Sequence, residues 1–267
     1  MATQDNLLLD VQSIADLRSS TALGAIGREL DGDPNLCMQR FGTGDPPRTP
    51  IQSAEAALRD WRPAAKDERG HWWFFLSRGG EPRGRASIII TTLDPTKALY
   101  AHSVDTTYRA SWFDSPDRLD EIPGLLRRLV EATRAFYGRA ALGAIYDQHN
   151  LKLDGLPPLD HEREIPDVYW LSYFGPGYVE YFGPRLERIG VRRAVTESGG
   201  LLVWASETPF VLEPGRRIAD YEFKQPFYEA LGRDAFRSEA QLRGAPGEHL
   251  PTFDVHRRHA SLRSPQR

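Results

Sequence analysis

The sequence predicts an α+β fold: an antiparallel-rich, twisted sheet with helices packed mainly on one face, in a ferredoxin-like or duplicated arrangement. Three observations lead there. Strand-like segments come in pairs around Gly/Pro turns, helical segments are inserted singly, and the regular βαβα alternation of a doubly wound parallel sheet is missing. With 267 residues, 40% of them hydrophobic and 10% aromatic, the chain can build a sizeable core. Domains near this size bury roughly three quarters of their unfolded surface.

Residues 1–48 read as an N-terminal extension, partly helical, rather than as core. Leu9, Ile14, Leu17, Leu23 and Ile26 have mixed helical spacing, interrupted by Ser19-Ser20-Thr21, and two Pro/Gly clusters follow at 31–34 and 42–47. A short helix is expected at 52–61 with Ser53 as its cap. The α+β domain is assigned to 49–232. Its clearest hairpin pairs Trp72-Trp-Phe-Phe-Leu-Ser77 with the β-branched run Arg85–Thr92. A third strand is placed at 98–104. Leu119, Ile122, Leu125, Leu126, Leu129, Val130, Thr133 and Phe136 recur at helical spacing, so a helix is expected to start near Asp114 and end near Tyr137. Strands at 140–146 and 168–174 come next, then a helix over 178–189 broken at Gly183-Pro184. Two strands surround Ser198-Gly199-Gly200, where tandem glycines suit a tight turn, and a last helix spans 217–232. Residues 233–267 read as a Pro/Gly/Arg-rich tail.

Charge and composition exclude several function classes. A net charge of −3 creates no field that would draw in nucleic acid or an anionic membrane. Only Lys66, Lys97, Lys152 and Lys224 are lysine among 34 basic residues, a bias that fits GC-rich coding. The single cysteine, Cys37, rules out an intramolecular disulfide framework and reads as an inert thiol. The first residues are polar and acidic with no long apolar stretch behind them, and no run approaches the ~20 apolar residues of a membrane span. The expected compartment is the cytoplasm.

No catalytic constellation emerges. His161-Glu-Arg-Glu164 lacks a second histidine four residues on. Asp147 and His149 sit where a strand ends, as in some hydrolases, but no Gly-x-Ser-x-Gly elbow supplies a nucleophile. Gly42-Thr-Gly44 and Gly175-Pro-Gly177 lack the features of a phosphate-cradling loop. No cofactor and no metal are expected. The acidic connection 147–166 is the better candidate, with Asp147, Asp154, Asp160, Glu162 and Glu164 against Lys152 and Arg163. In an extended segment Asp160, Glu162 and Glu164 share a face that would oppose a basic partner. Asp114, Asp117, Asp120 and Glu121 form a second acidic group, which a helix's first turn accounts for equally well.

The run Asp167-Val-Tyr-Trp-Leu-Ser-Tyr-Phe-Gly-Pro-Gly-Tyr-Val-Glu-Tyr-Phe-Gly183, with Gly199-Gly-Leu-Leu-Val-Trp-Ala-Ser206 and Thr208-Pro-Phe210, resembles bacterial immunity proteins of polymorphic-toxin and type VI secretion systems. Within that group the chain is similar to the immunity protein 52 family over about residues 70–212. The resemblance implies an inhibitor that neutralises a cognate toxin, a nuclease effector among the options, and needs no catalytic residues. The partner is then a protein toxin, and the acidic connection is where a basic cleft would be met. Two other readings compete: a small hydrolase or transferase with a site near Asp147 and His149, and a nucleic-acid-binding or scaffold module using the arginine-rich tail.

Overall fold

A computed structural model describes residues 6–61, 72–91, 102–145, 165–209 and 222–236. Ten strands form one sheet: β1 (Asn6–Ser13), β2 (Arg40–Gly42), β3 (Thr49–Pro50), β4 (Trp72–Arg78), β5 (Gly84–Ile90), β6 (His102–Arg109), β7 (Tyr137–Leu142), β8 (Leu171–Phe174), β9 (Arg193–Val195) and β10 (Leu201–Trp204). Their order is β3-β2-β4-β5-β6-β1-β7-β8-β10-β9. Every pairing between them is antiparallel. The α+β class and the antiparallel sheet are as the sequence predicts.

The place of β1 is not. The segment read as an extension supplies a central strand, paired with β6 from Asn6↔Arg109 to Ser13↔His102 and with β7 from Leu7↔Leu142 to Gln12↔Tyr137. Its period is two: Leu7, Leu9 and Val11 are buried toward one face, while Leu8, Asp10 and Gln12 alternate to the other. Three consecutive leucines hide that alternation from a helical count. Helical spacing begins only at α1 (Ser20–Asp31), and the serine cluster that looks like an interruption is its cap, Ser19 Oγ accepting from the Ala22 amide at 3.1 Å. Ser53 caps α2 (Ala54–Arg59) as expected, and Asp31 adds its two carboxylate oxygens to the Ala54 and Glu55 amides, each at 3.0 Å. The helices cross with backbones touching: a Cβ on Gly27 would lie 2.6 Å from Ala54 and Glu55 backbone atoms.

The hairpin of β4 and β5 forms in the expected register region, Trp72↔Ile90 to Arg78↔Gly84. Strand β6 lies further along the chain than the predicted 98–104, of which 98–101 falls outside the described residues. After β6 come the short α3 (Pro116–Leu119) and then α4 (Glu121–Thr133). Arg134, at φ 50 and ψ 50, turns the chain in the left-handed region and stops α4, so β7 starts three residues before the predicted 140. Both β6 and β7 run antiparallel to β1 between them, which makes β6-α4-β7 a split βαβ unit of the ferredoxin-like kind.

Helices cover both faces, where the sequence places them mainly on one. On the first face α1, α2 and α4 pack on Leu7, Leu9, Val11, Phe74, Ile88, Val104, Ala140 and Leu171. On the second face α5 (Pro176–Phe182), α6 (Pro184–Glu187) and α7 (Gln225–Leu231) pack on Tyr137, Phe174, Leu201 and Val203. Successive residues of β8 and β10 alternate between these two cores, so both sides of that half of the sheet are apolar. Lys224, fully buried, ties the last helix down by donating to Asp167 at 2.6 Å, with Tyr228 also reaching that carboxylate. Ala235 and Phe236 still pack in the second core and Ile165 bridges to Phe236. Residues 235 and 236, which the sequence assigns to the tail, thus belong to this core.

Candidate functional site

The most unusual chemistry in the described structure is a polar row across the second face of the sheet. Register places Ser87 opposite Asp105, Asp105 opposite Asp10, Asp10 opposite Arg139, and Arg139 opposite Ser172. Five strands thus contribute one polar residue each to a line. Asp10 is 1% exposed. Arg139 grips it by Nε and Nη2, both 2.8 Å from Oδ2, and donates Nη1 to the Tyr169 hydroxyl while lying 4.8 Å from that ring's centre. Gln12 adds a longer donor to Asp10 at 3.4 Å. Planar guanidinium on carboxylate is the geometry that makes a buried ion pair tolerable.

Asp105 is held differently. Its Oδ2 accepts from Ser103 Oγ at 3.0 Å and Ser87 Oγ at 3.4 Å, both neutral donors. Burial, and then the neighbouring Asp10 charge, push its carboxyl well above the usual carboxylate range. Like charges directly opposite on paired strands destabilise a sheet, and Arg139 is engaged by the other member of the pair. A native state that keeps the proton longer than the unfolded chain loses stability as pH rises from the ordinary aspartate value, about 3.9, toward the raised one. Asp105→Asn should therefore raise the melting temperature at pH 7.5, with the gain shrinking toward pH 4. An equal gain at both pH values in a thermal melt would contradict this.

A raised carboxyl beside a second carboxylate is a recurring feature of acid/base sites. Here the row offers no nucleophile with a base behind it. Among the described residues no group of three or more His, Cys, Asp or Glu is placed to hold a metal ion. What the row offers is a fixed, hydrogen-bonded acceptor on a sheet face, which suits recognition of a cation.

The sequence-predicted site residues Asp147, Asp154, Asp160, Glu162 and Glu164, with His149, lie outside the described residues, as does the arginine-rich tail. The described residues on either side of the acidic connection are buried on the second-face side. Ile145 packs with Ala141 and Tyr169, and Ile165 joins the core under α5 to α7. In the second acidic group Asp114, Asp117 and Asp120 are exposed, while Glu121 accepts from Asn35 and is pushed up by burial and Asp33.

The fold is that of a known secretion-system protein. Superposition on the type VI secretion system (T6SS) protein PA0821 of Pseudomonas aeruginosa gives a TM-score of 0.54 at 15% identity, covering 86% of this chain and 73% of that one. At that identity the likeness is one of architecture. No family model matches the chain and no curated protein does, so the immunity protein 52 assignment has no family match behind it. Among the described residues no helix is long and apolar enough to cross a membrane.

Sequence reasoning passed over Asp10, Asp105 and Arg139. The available signal was local: a lone charge inside Leu7-Leu-Leu-Asp-Val11 and another among the small residues of Tyr137-Gly-Arg-Ala-Ala141. Charges are almost never fully buried without a partner, so two such runs predict one another once both are read as strands.

Proposed function

We propose that this protein is an immunity protein of a type VI secretion system, which binds a cognate toxin and silences it by occupying its working surface, without catalysis. The observation that carries the reading is the shared architecture with a T6SS protein over most of the chain. The 167–208 signature residues add to it, because they fall on β8, α5 and β10 and so belong to that architecture. A rigid sheet with both faces partly covered presents a preformed surface, which limits the entropy lost on association. Acids set against a basic cleft would speed encounter and exclude wrong partners. A nuclease effector, whose substrate carries phosphates, is the toxin class such a charge pattern fits.

Co-expression with the adjacent open reading frame tests the reading. Rescue of growth and co-purification are expected, and toxicity undiminished by this protein would refute it. Simultaneous charge reversal at Asp160, Glu162 and Glu164 should lower the association rate by roughly one to three orders of magnitude at low salt while leaving the melting temperature nearly unchanged. An unaltered association rate in stopped-flow mixing would remove the acidic connection from the interface.

A further inference from the structure

We infer that the part of the second face formed by β4, β5, β6 and β1 is the surface that contacts the toxin, with Asp105 receiving a basic side chain of that toxin; this rests on the immunity reading above. Two adjacent rows define the surface. One runs Trp73, Ile89, Ser103, Gln12 and the other Phe75, Ser87, Asp105, Asp10. On the first face the same strands bury Phe74, Leu76, Ile88 and Val104 under helices. On the second face the helices gather over β8 and β10, and no described helix lies over β4 to β6.

What stands there is not an ordinary solvated face. Trp73 is 37% exposed, one of two large hydrophobic residues so exposed among the described residues. It stacks on Phe75 at 6.1 Å with the rings 19° apart, and Ile89 beside it is half-buried. An aromatic pair and an aliphatic residue on a flat, rigid sheet are the usual makings of an interface centre. One strand from Ile89 and two from the aromatic pair lies the Asp105 carboxyl, half-buried, accepting from the Ser103 and Ser87 hydroxyls and hydrogen-bonded to Asp10. Arg139 is committed to Asp10, and Arg85, on the same face at the β5 end, pairs with Asp45 at 3.4 Å. Among the described residues the surface therefore carries an acceptor whose nearby cation, Arg139, is gripped by Asp10, with apolar rings two strands away on the same face. A guanidinium or ammonium flanked by apolar side chains fits it. A second copy of this chain fits poorly, because a symmetric contact would bring two such carboxylates into one interface.

The probe is the purified product of the adjacent open reading frame, titrated calorimetrically against wild type, Trp73→Ala, Asp105→Asn and Asp105→Arg, each first checked for a cooperative melt. Wild type is expected to bind. Asp105→Arg should weaken binding roughly a hundredfold or more, and Trp73→Ala at least roughly tenfold. Asp105→Asn should lose affinity while gaining thermal stability, a combination that a purely structural role would not give. Binding by all three variants within about twofold of wild type overturns the assignment of this face, since affinity that survives hot-spot truncation lies elsewhere. If Asp105→Arg does not fold, the other two variants decide on the same criterion. Wild type that fails to bind the probe refutes the immunity reading itself, and this inference with it. A dimer in light scattering that Trp73→Asp dissolves would assign the face to self-association and also overturn the proposal.

Discussion

Deletion of residues 1–13 is expected to abolish folding. The segment has the composition of a dispensable arm, yet it is the strand on which both halves of the sheet close. Its removal takes away eight register pairs with β6 and six with β7, leaving two long unpaired edges facing each other across a gap. Leu7, Leu9 and Val11, none more than 1% exposed, are lost from beneath α4. At about 1.5–3 kcal/mol for each fully buried aliphatic side chain, that loss alone rivals the ~5–15 kcal/mol by which domains are stable. Arg139 would also be left buried without Asp10. The measurement is soluble expression with far-UV circular dichroism and a urea titration; a soluble fragment with a cooperative transition would show that β1 is an appendage after all. Point substitutions should follow the alternation. Leu9→Ala should destabilise by about 2–5 kcal/mol and Leu8→Ala, half-buried on the second face, by clearly less.

How much of this was legible in the sequence depends on whether a local pattern carried the information. The β4–β5 hairpin, the buried stripe of α4 and the glycine turn before β10 each follow from spacing within a dozen residues, and each forms where expected. The errors have one cause: a long-range partner overrides a local cue. In β1 the strand period is set by β6 and β7, its partners lying 89 residues or more away in sequence, so its leucines look helical alone. In α4 the helix stops at Arg134 because Phe136 must pair back to Gln12, whose carbonyl accepts its amide at 3.0 Å, although Phe136 continues the helical apolar spacing. The expectation of helices mainly on one face missed the second layer because 168–174, apart from Ser172, and 201–204 are apolar and buried at successive positions, a pattern that fits a strand buried on both sides as well as one poorly alternating strand. Asp10 and Arg139 carried a local signal as lone charges in strand-like runs, but Asp105 had none: a register, not a motif, sets it beside them.

Arg139→Met should destabilise the protein by about 3–5 kcal/mol, the usual consequence of removing one member of a buried ion pair. The arginine is the cation of the row, so its loss leaves Asp10 buried without a charged partner, held by long Gln12 contacts at 3.4 and 3.5 Å and by Asp105, and Asp105 loses a nearby charge that favours its ionised form. The sign with pH follows. Without the cation Asp105 holds its proton to still higher pH in the folded state than in the unfolded one, so the stability of the variant falls as pH rises through that interval. The deficit relative to wild type is therefore expected to be larger at pH 8 than at pH 5. Double replacement, Asp10→Leu with Arg139→Met, should recover much of the loss, because apolar residues of similar volume often match a buried pair. Urea denaturation of the four members of this cycle at both pH values measures it. A single-variant loss below about 1 kcal/mol, or a deficit that does not grow with pH, would mean that Asp10 is solvated in ways its burial denies. A recovered double variant that still binds the product of the adjacent open reading frame would separate the ion pair, which joins two central strands, from Asp105, the residue proposed to face the partner.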